Sequence, residues 1–271
     1  MKEKPSSSNW LKLMDRWIIF DPVRWPHREL ISRGTALLII LGFLGLRIYQ
    51  FDRFPQSFGD ARHFYAAFKD SAGLPVYAFG HIAIIWGVKL SVWIVETAIY
   101  IGYTISYLSR ARAKNIAKGF METAFPVIIA SIPILIAFMP YSLPRWAPLS
   151  SPSHLYFFLA IMALIVTGGV INLIGLLTLR RAFTIMSEAR ELIVKGIFRR
   201  IRHPLYTGHF IMFFGSLLLR LHTVSIIMYL LFCVGQVVRA GIEERKLMQT
   251  FPEYKDYQSR TGMFFPRRGM K

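Results

Sequence analysis

Between Lys195 and Gly208 the chain gathers Lys195, Arg199, Arg200, Arg202 and His203 around a Pro204-fixed turn. Gly196 suits a helix end or tight turn. The His203-Pro204 step forces Arg202 and His203 toward extended backbone before a new helix opens near Pro204. A helix start offers free backbone N–H groups, so with Arg202 beside it the turn suits a carboxylate or phosphate. A plain basic loop flanking a membrane has the same composition.

A second polar cluster follows an apolar hairpin. Arg239, Glu243 and Glu244 lie four and five residues apart and share roughly one face of a continuing helix. If the hairpin closes, both clusters meet at one end. Charges that bracket a hydrocarbon-embedded hairpin are costly unless they meet one another or a polar ligand. The carboxylates could bind ribose hydroxyls, an α-amino group or an acceptor, or form an interfacial salt bridge.

The elements that must position these residues are membrane helices. The 271 residues are 54% hydrophobic and only 18% charged, where a soluble domain averages roughly 45–50% and about 25%. The excess forms six apolar segments, about 34–50, 79–108, 124–140, 154–179, 205–219 and 223–238. The fold expected is an all-α integral membrane bundle of about six spans, the last two a short helical hairpin turning at Arg220-Leu221-His222. Pro126 and Pro133 are expected to kink the third segment. Residues 1–140 read as an interfacial and accessory membrane region, with Trp10 to Trp25 lying on the membrane surface or packed on protein. Residues 141–271 read as the functional core.

Lys and Arg number 33 against 15 Asp and Glu. They concentrate in loops 109–123 and 180–203, while 51–78 is balanced and 141–153 carries only Arg145. The positive-inside rule accounts for this pattern and puts both termini in the cytoplasm. Nucleic-acid binding is not expected, because no basic recognition helix or zinc spacing accompanies the charge. Cys233 is the only cysteine, so no cysteine-cluster metal site exists, and the histidines show no ligand spacing. Lys89 and Glu96 share a face of the second segment and mark either a substrate path or a structural pair. Asn172 in the fourth segment serves as interhelical glue or as a ligand contact.

Taken in order, these residues resemble the isoprenylcysteine carboxyl methyltransferase and phospholipid methyltransferase superfamily. The likeness runs from Leu179-Arg180-Arg181-Ala182-Phe183-Thr184 through Leu192 to Arg199 and the Arg202-His203-Pro204-Leu205-Tyr206-Thr207-Gly208 run. It closes with Arg239, Glu243-Glu244, Leu247, Phe251 to Tyr257 and Phe265-Pro266. Arg180 and Pro252 stand where the family pattern has glycine, and residues 1–140 carry no matching motif.

The resemblance implies an integral-membrane enzyme, surrounded by membrane lipids, that uses S-adenosyl-L-methionine and a lipophilic small-molecule or lipidated acceptor: a prenylated cysteine carboxylate, an aminophospholipid or a small thiol. It implies cofactor contacts by Arg202, His203, Tyr206, Gly208 and Glu243, and a place near the acceptor for Arg239 and Glu244. Arg239 would hold a carboxylate acceptor, whereas Glu244 would take the proton from an amine or thiol. Two rivals remain: a nicotinamide-dependent membrane reductase of the sterol-reductase type, and a non-enzymatic membrane scaffold. Leu205 before Tyr206 and Ile242 before Glu243 depart from the reductase pattern.

Overall fold

The computed structural model describes residues 77–109, 113–139 and 152–267, with isolated positions at 111, 142 and between 37 and 48. The Trp10–Trp25 stretch lies outside the described residues. The first apolar segment is described only at scattered helical positions. Among the described residues the fold is all-α. Its only β-type pairings are isolated bridges, Asn115 with Ala189 and Ile201 with Gly262.

Seven helices are described: α1 (Tyr77–Ser109), α2 (Gly119–Glu122), α3 (Ala124–Phe138), α4 (Pro152–Leu179), α5 (Pro204–Leu218), α6 (Thr223–Thr250) and α7 (Tyr254–Arg260). α1, α4 and α6 are each long and apolar enough to cross a membrane, so this is a membrane protein. α3 and α5 have 15 residues each, about 22 Å of rise against a hydrocarbon core of about 30 Å. Pro126 falls in the first turn of α3, where its missing N–H breaks no helical bond. Only Pro133 interrupts that helix, so Pro126 does not act as the kink expected of it.

Lipid tails are as apolar as leucine, so helices in a bilayer hold together through close packing of small residues. The α4–α5 contact is of that kind. A Cβ added at Gly168 would lie 2.4 Å from the Met212 N and 2.6 Å from the Gly208 O, and one at Gly208 would lie 2.6 Å from the Gly168 O. Gly175 accommodates Leu205, and Gly215 accommodates Ile165, along the same seam. α1 joins through Gly102 against Leu176 and Gly169 against Val95. α6 packs on α3, with Gly235 against Ile129. Tyr107 of α1 shares a core with Leu176, Phe183, Phe198, Leu205 and Tyr206, so elements on both sides of residue 140 bury one another.

The loops sort cleanly between the two ends of the bundle. At one end Lys114 and Asn115 donate to the Ala189 carbonyl (2.8 and 3.1 Å), Ser187 donates to the Glu122 carbonyl (2.9 Å), and Lys246 donates to the Ile116 carbonyl (2.8 Å). At the other, Ser142 donates to the Leu219 carbonyl (3.0 Å) and Arg220 to the Met139 carbonyl (3.2 Å). The two basic loops therefore share an end with the extension of α6 beyond the apolar hairpin.

Candidate functional site

The turn after residue 195 forms as its residues dictate. Gly196 takes φ +59° and opens a 3-10 turn over Gly196–Arg199. Pro204 then starts α5, with His203 as its N-cap at φ −124°, ψ 60°, outside the extended region expected of it. Arg202 and His203 donate their backbone N–H groups to Gly262 (2.8 Å) and Met263 (3.0 Å). The C-terminal segment thus clamps the turn from outside, and Thr207 Oγ1 adds a bond to the Phe264 carbonyl (2.8 Å). Gly262 is needed there, since a Cβ would lie 1.7 Å from the Phe265 carbonyl oxygen.

α6 runs unbroken through the hairpin to Thr250 and carries Arg239, Glu243 and Glu244 to this turn. The two carboxylates go to different partners. Glu244 Oε1 accepts from Arg202 Nε (2.7 Å) and lies 3.0 Å from His203 Nε2, while its Oε2 accepts from Gln258 Nε2 (2.7 Å). Arg202 also donates to the Gln258 carbonyl (3.1 Å) and the Thr261 carbonyl. Glu243 Oε1 accepts from Arg239 Nε (3.1 Å) and from the Tyr206 hydroxyl. Arg239 lies over the Tyr206 ring (5.1 Å) and donates to the Ile185 carbonyl (2.6 Å). His203 stacks on the other side of this group, 5.3 Å from Tyr206 with the rings nearly parallel.

Beside these residues opens a cleft of about 750 Å³, counting its mouth. Arg202, His203 and Tyr206 form one wall, and Arg239, Glu243 and Lys246 another. Phe183, Thr184, Glu188 and Glu191 form the third. Buried cations around it are matched one to one: Arg190 with Glu188 (2.5 Å), Arg202 with Glu244, Arg239 with Glu243, and Lys246 with Glu122. Such pairing is what a low-dielectric wall requires. Exposed Glu191 is left over as a carboxylate at the cleft, and Glu243 keeps Oε2 available because both of its bonds fall on Oε1.

Of the residues singled out from sequence, Arg202, His203, Tyr206, Arg239 and Glu243 line this cleft. Gly208 lies away from it, pressed against Gly168 and Asn172 in the α4–α5 seam. Glu244 is not among the lining residues and is spent on Arg202, His203 and Gln258. Arg202 also turns most of its donors inward, so the anion-binding role read from its position beside the helix start has few groups left to serve it. Thr184, Glu188, Glu191 and Lys246 belong to the site and were not singled out. For Glu188 and Glu191 the only local signal was acidity within a strongly basic loop; Thr184 and Lys246 carried none. Outside the membrane, burial pushes the Tyr257 hydroxyl up to about 12, keeping it a donor to the Phe198 carbonyl (2.7 Å).

A helical membrane protein with a polar, charge-paired cleft at its basic end is the class that fold and site define. Residues 156–254 match the phospholipid methyltransferase family, the stretch that carries most of the motifs above, and the resemblance read from them is borne out. A nickel-cobalt-cadmium resistance protein, NccN, of Alcaligenes xylosoxydans xylosoxydans is 33% identical over 81 residues, covering 30% of this chain and 38% of that protein. The chain thus spans well under half the length of that relative. The eukaryotic intramembrane Ras methyltransferase ICMT (isoprenylcysteine carboxyl methyltransferase) aligns over 88% of this chain and 95% of its own at 20% identity. Its TM-score of 0.36 is too low for residue positions to be transferred.

Proposed function

We propose that this chain is an integral-membrane methyltransferase that takes its methyl group from S-adenosylmethionine and places it on a lipophilic acceptor, with the basic loops facing the cytoplasm. The observation that carries this reading is the meeting of two distant motif segments, Arg202-His203-Tyr206 and Arg239-Glu243, in one cleft at the mouth of a membrane hairpin. The donor set fits the cofactor. Glu243 Oε2 and Glu191 offer carboxylate oxygens to hydroxyl or ammonium groups, and the stacked His203 and Tyr206 rings offer an aromatic face.

When bound, the cofactor supplies an electrophilic methyl group on a sulfonium. The chain's own residues position the reactants. Glu243 holds Tyr206 and Arg239 in one network, which fixes the cleft wall against the hairpin. Arg239, on the membrane side of Glu243, faces the acceptor. Glu244 acts as a positioning residue that locks Arg202 and His203, rather than as the base the sequence suggested for it. Gly208 acts further back, by letting α5 approach α4.

The test is calorimetric binding of S-adenosylhomocysteine to the purified full chain. Glu243→Ala removes hydrogen bonding to a charged group worth roughly 1.5–3 kcal/mol, so it is expected to weaken binding about ten- to hundredfold, and His203→Ala, which removes the ring stacked on Tyr206, is expected to weaken it as well. Unchanged affinity in both variants, with the fold intact, removes these residues from the cofactor site.

A further inference from the structure

Where α4 ends, its outward face passes abruptly from apolar side chains to cations. Ile174 and Leu177 are 46% and 53% exposed, on a helix long and apolar enough to cross a membrane. Arg180 and Arg181 follow at once, and both are exposed. The Gly196–Arg199 turn packs back on this end of α4. A Cβ at Gly196 would lie 3.3 Å from Thr178 Cγ2, and Phe198 shares a core with Leu176 and Phe183. The fold thereby brings Lys195, Arg199 and Arg200, exposed as well, to the same edge, with exposed Val194 beside them.

Three observations set this edge apart from an ordinary solvated run of charge. The first is backbone conformation. Arg180 takes φ +45°, and among the described residues no other non-glycine residue lies in the left-handed region. Glycine suits that backbone at the end of a helix, whereas a side chain is held there at a conformational cost. The second is the use of the two guanidinium groups. Arg180 Nε donates to the Leu177 carbonyl (3.2 Å), and Arg181 Nε donates to the Ser109 carbonyl (3.2 Å). Each arginine thus spends its inner nitrogen on a helix end, and among the described residues neither Nη pair meets a protein acceptor. The third is charge balance. The buried cations of the cleft each have a carboxylate, and even exposed Arg260 pairs with Asp256. Among the described residues none of the cations at this edge does. Glu191, the acidic residue nearest Lys195 in sequence, lies at the cleft instead.

We propose that Arg180, Arg181, Lys195, Arg199 and Arg200 form a docking site for the phosphate of an anionic membrane lipid, whose acyl chains lie along Ile174, Leu177 and Val194. A guanidinium fork matches two phosphate oxygens, which a lone ammonium cannot do. The cations cap an apolar, outward-facing stripe, so they stand at the depth where headgroups begin. A phosphate ion from water would meet the charges but leave the stripe uncovered, which is why a lipid is the occupant. Leu179 and Ala182, on either side of the two arginines, line the cleft, so the lipid stands at its rim. The site requires no cofactor and does not depend on the methyltransferase reading.

The experiment is native mass spectrometry of the purified full chain in detergent, titrated with dioleoylphosphatidylglycerol or dioleoylphosphatidylcholine. One cation near an anionic lipid surface is worth about fivefold in binding, so wild type should retain phosphatidylglycerol at least tenfold more tightly than phosphatidylcholine. Lys195→Gln/Arg199→Gln/Arg200→Gln should bring that preference close to unity. Arg180→Gly, which suits the left-handed backbone and so keeps the fold, should lower it about fivefold. Lys255→Gln/Arg260→Gln removes two exposed cations of α7 and should leave it intact. Equal retention of the two lipids by wild type, or an unchanged preference in both edge variants, would overturn the proposal. An equal loss in the α7 variant would overturn it too, by tracing the preference to net charge rather than to this edge. Displacement of phosphatidylglycerol by inorganic phosphate at equal concentration would refute the lipid as occupant.

Discussion

Replacing Glu244 by alanine separates two roles that a carboxylate at this position could play. The Arg202 and Glu244 side chains are only 10% and 7% exposed, and Glu244 also accepts from His203 and Gln258. Removing one partner of a buried ion pair leaves an uncompensated charge and costs about 3–5 kcal/mol. For a domain of roughly this size that is on the order of 10 °C in Tm. The loss should be read by thermal unfolding of the purified protein. Glu243→Ala should cost less stability, because the Glu243 side chain is 21% exposed and water reaches its partners. The pair of variants should therefore diverge: Glu244→Ala mainly in stability, Glu243→Ala mainly in S-adenosylhomocysteine affinity. Wild-type Tm in Glu244→Ala, with methyl transfer abolished, would refute the positioning role and restore Glu244 as a proton acceptor.

Gly208→Ala should destabilise the protein by about 1–3 kcal/mol, since the new Cβ meets backbone at 2.6 Å that cannot rotate away; denaturant or thermal unfolding reads this directly. Tyr257 is held up to about 12 by burial, so its stabilising contribution is full below about pH 10 and is lost as pH rises through about 12. Alkaline unfolding curves of Tyr257→Phe should accordingly be flatter over that window and lower by about 1 kcal/mol at neutral pH. In a Cys233→Ala background, cysteines placed at Lys114 and Lys195 should label from the cytoplasmic face and one at Ser142 from the opposite face; labelling of all three from one side would overturn the orientation.

The sequence by itself determined the described apolar helices and their order, because hydrophobic runs and proline-fixed starts are local properties. α5 begins at Pro204 and α4 ends at Leu179, within a residue or so of where composition places them. It also brought most of the site within reach, since a tight hairpin at Arg220 necessarily returns α6 to the turn at 202–206. What only tertiary structure decided is how the polar groups divide. Glu243 and Glu244 are neighbours in sequence and were read as sharing a face with Arg239, but successive helical residues point about 100° apart. One therefore faces the cleft with Tyr206, while the other faces Gln258 and the C-terminal cap. Gly208 sits inside a family-like motif, yet its role comes from the backbone of α4 pressing on it. Glu122 and Arg190 were legible only as loop charge and Lys246 not at all, because Lys246 and Glu122 are far apart in the chain and meet only when the bundle closes.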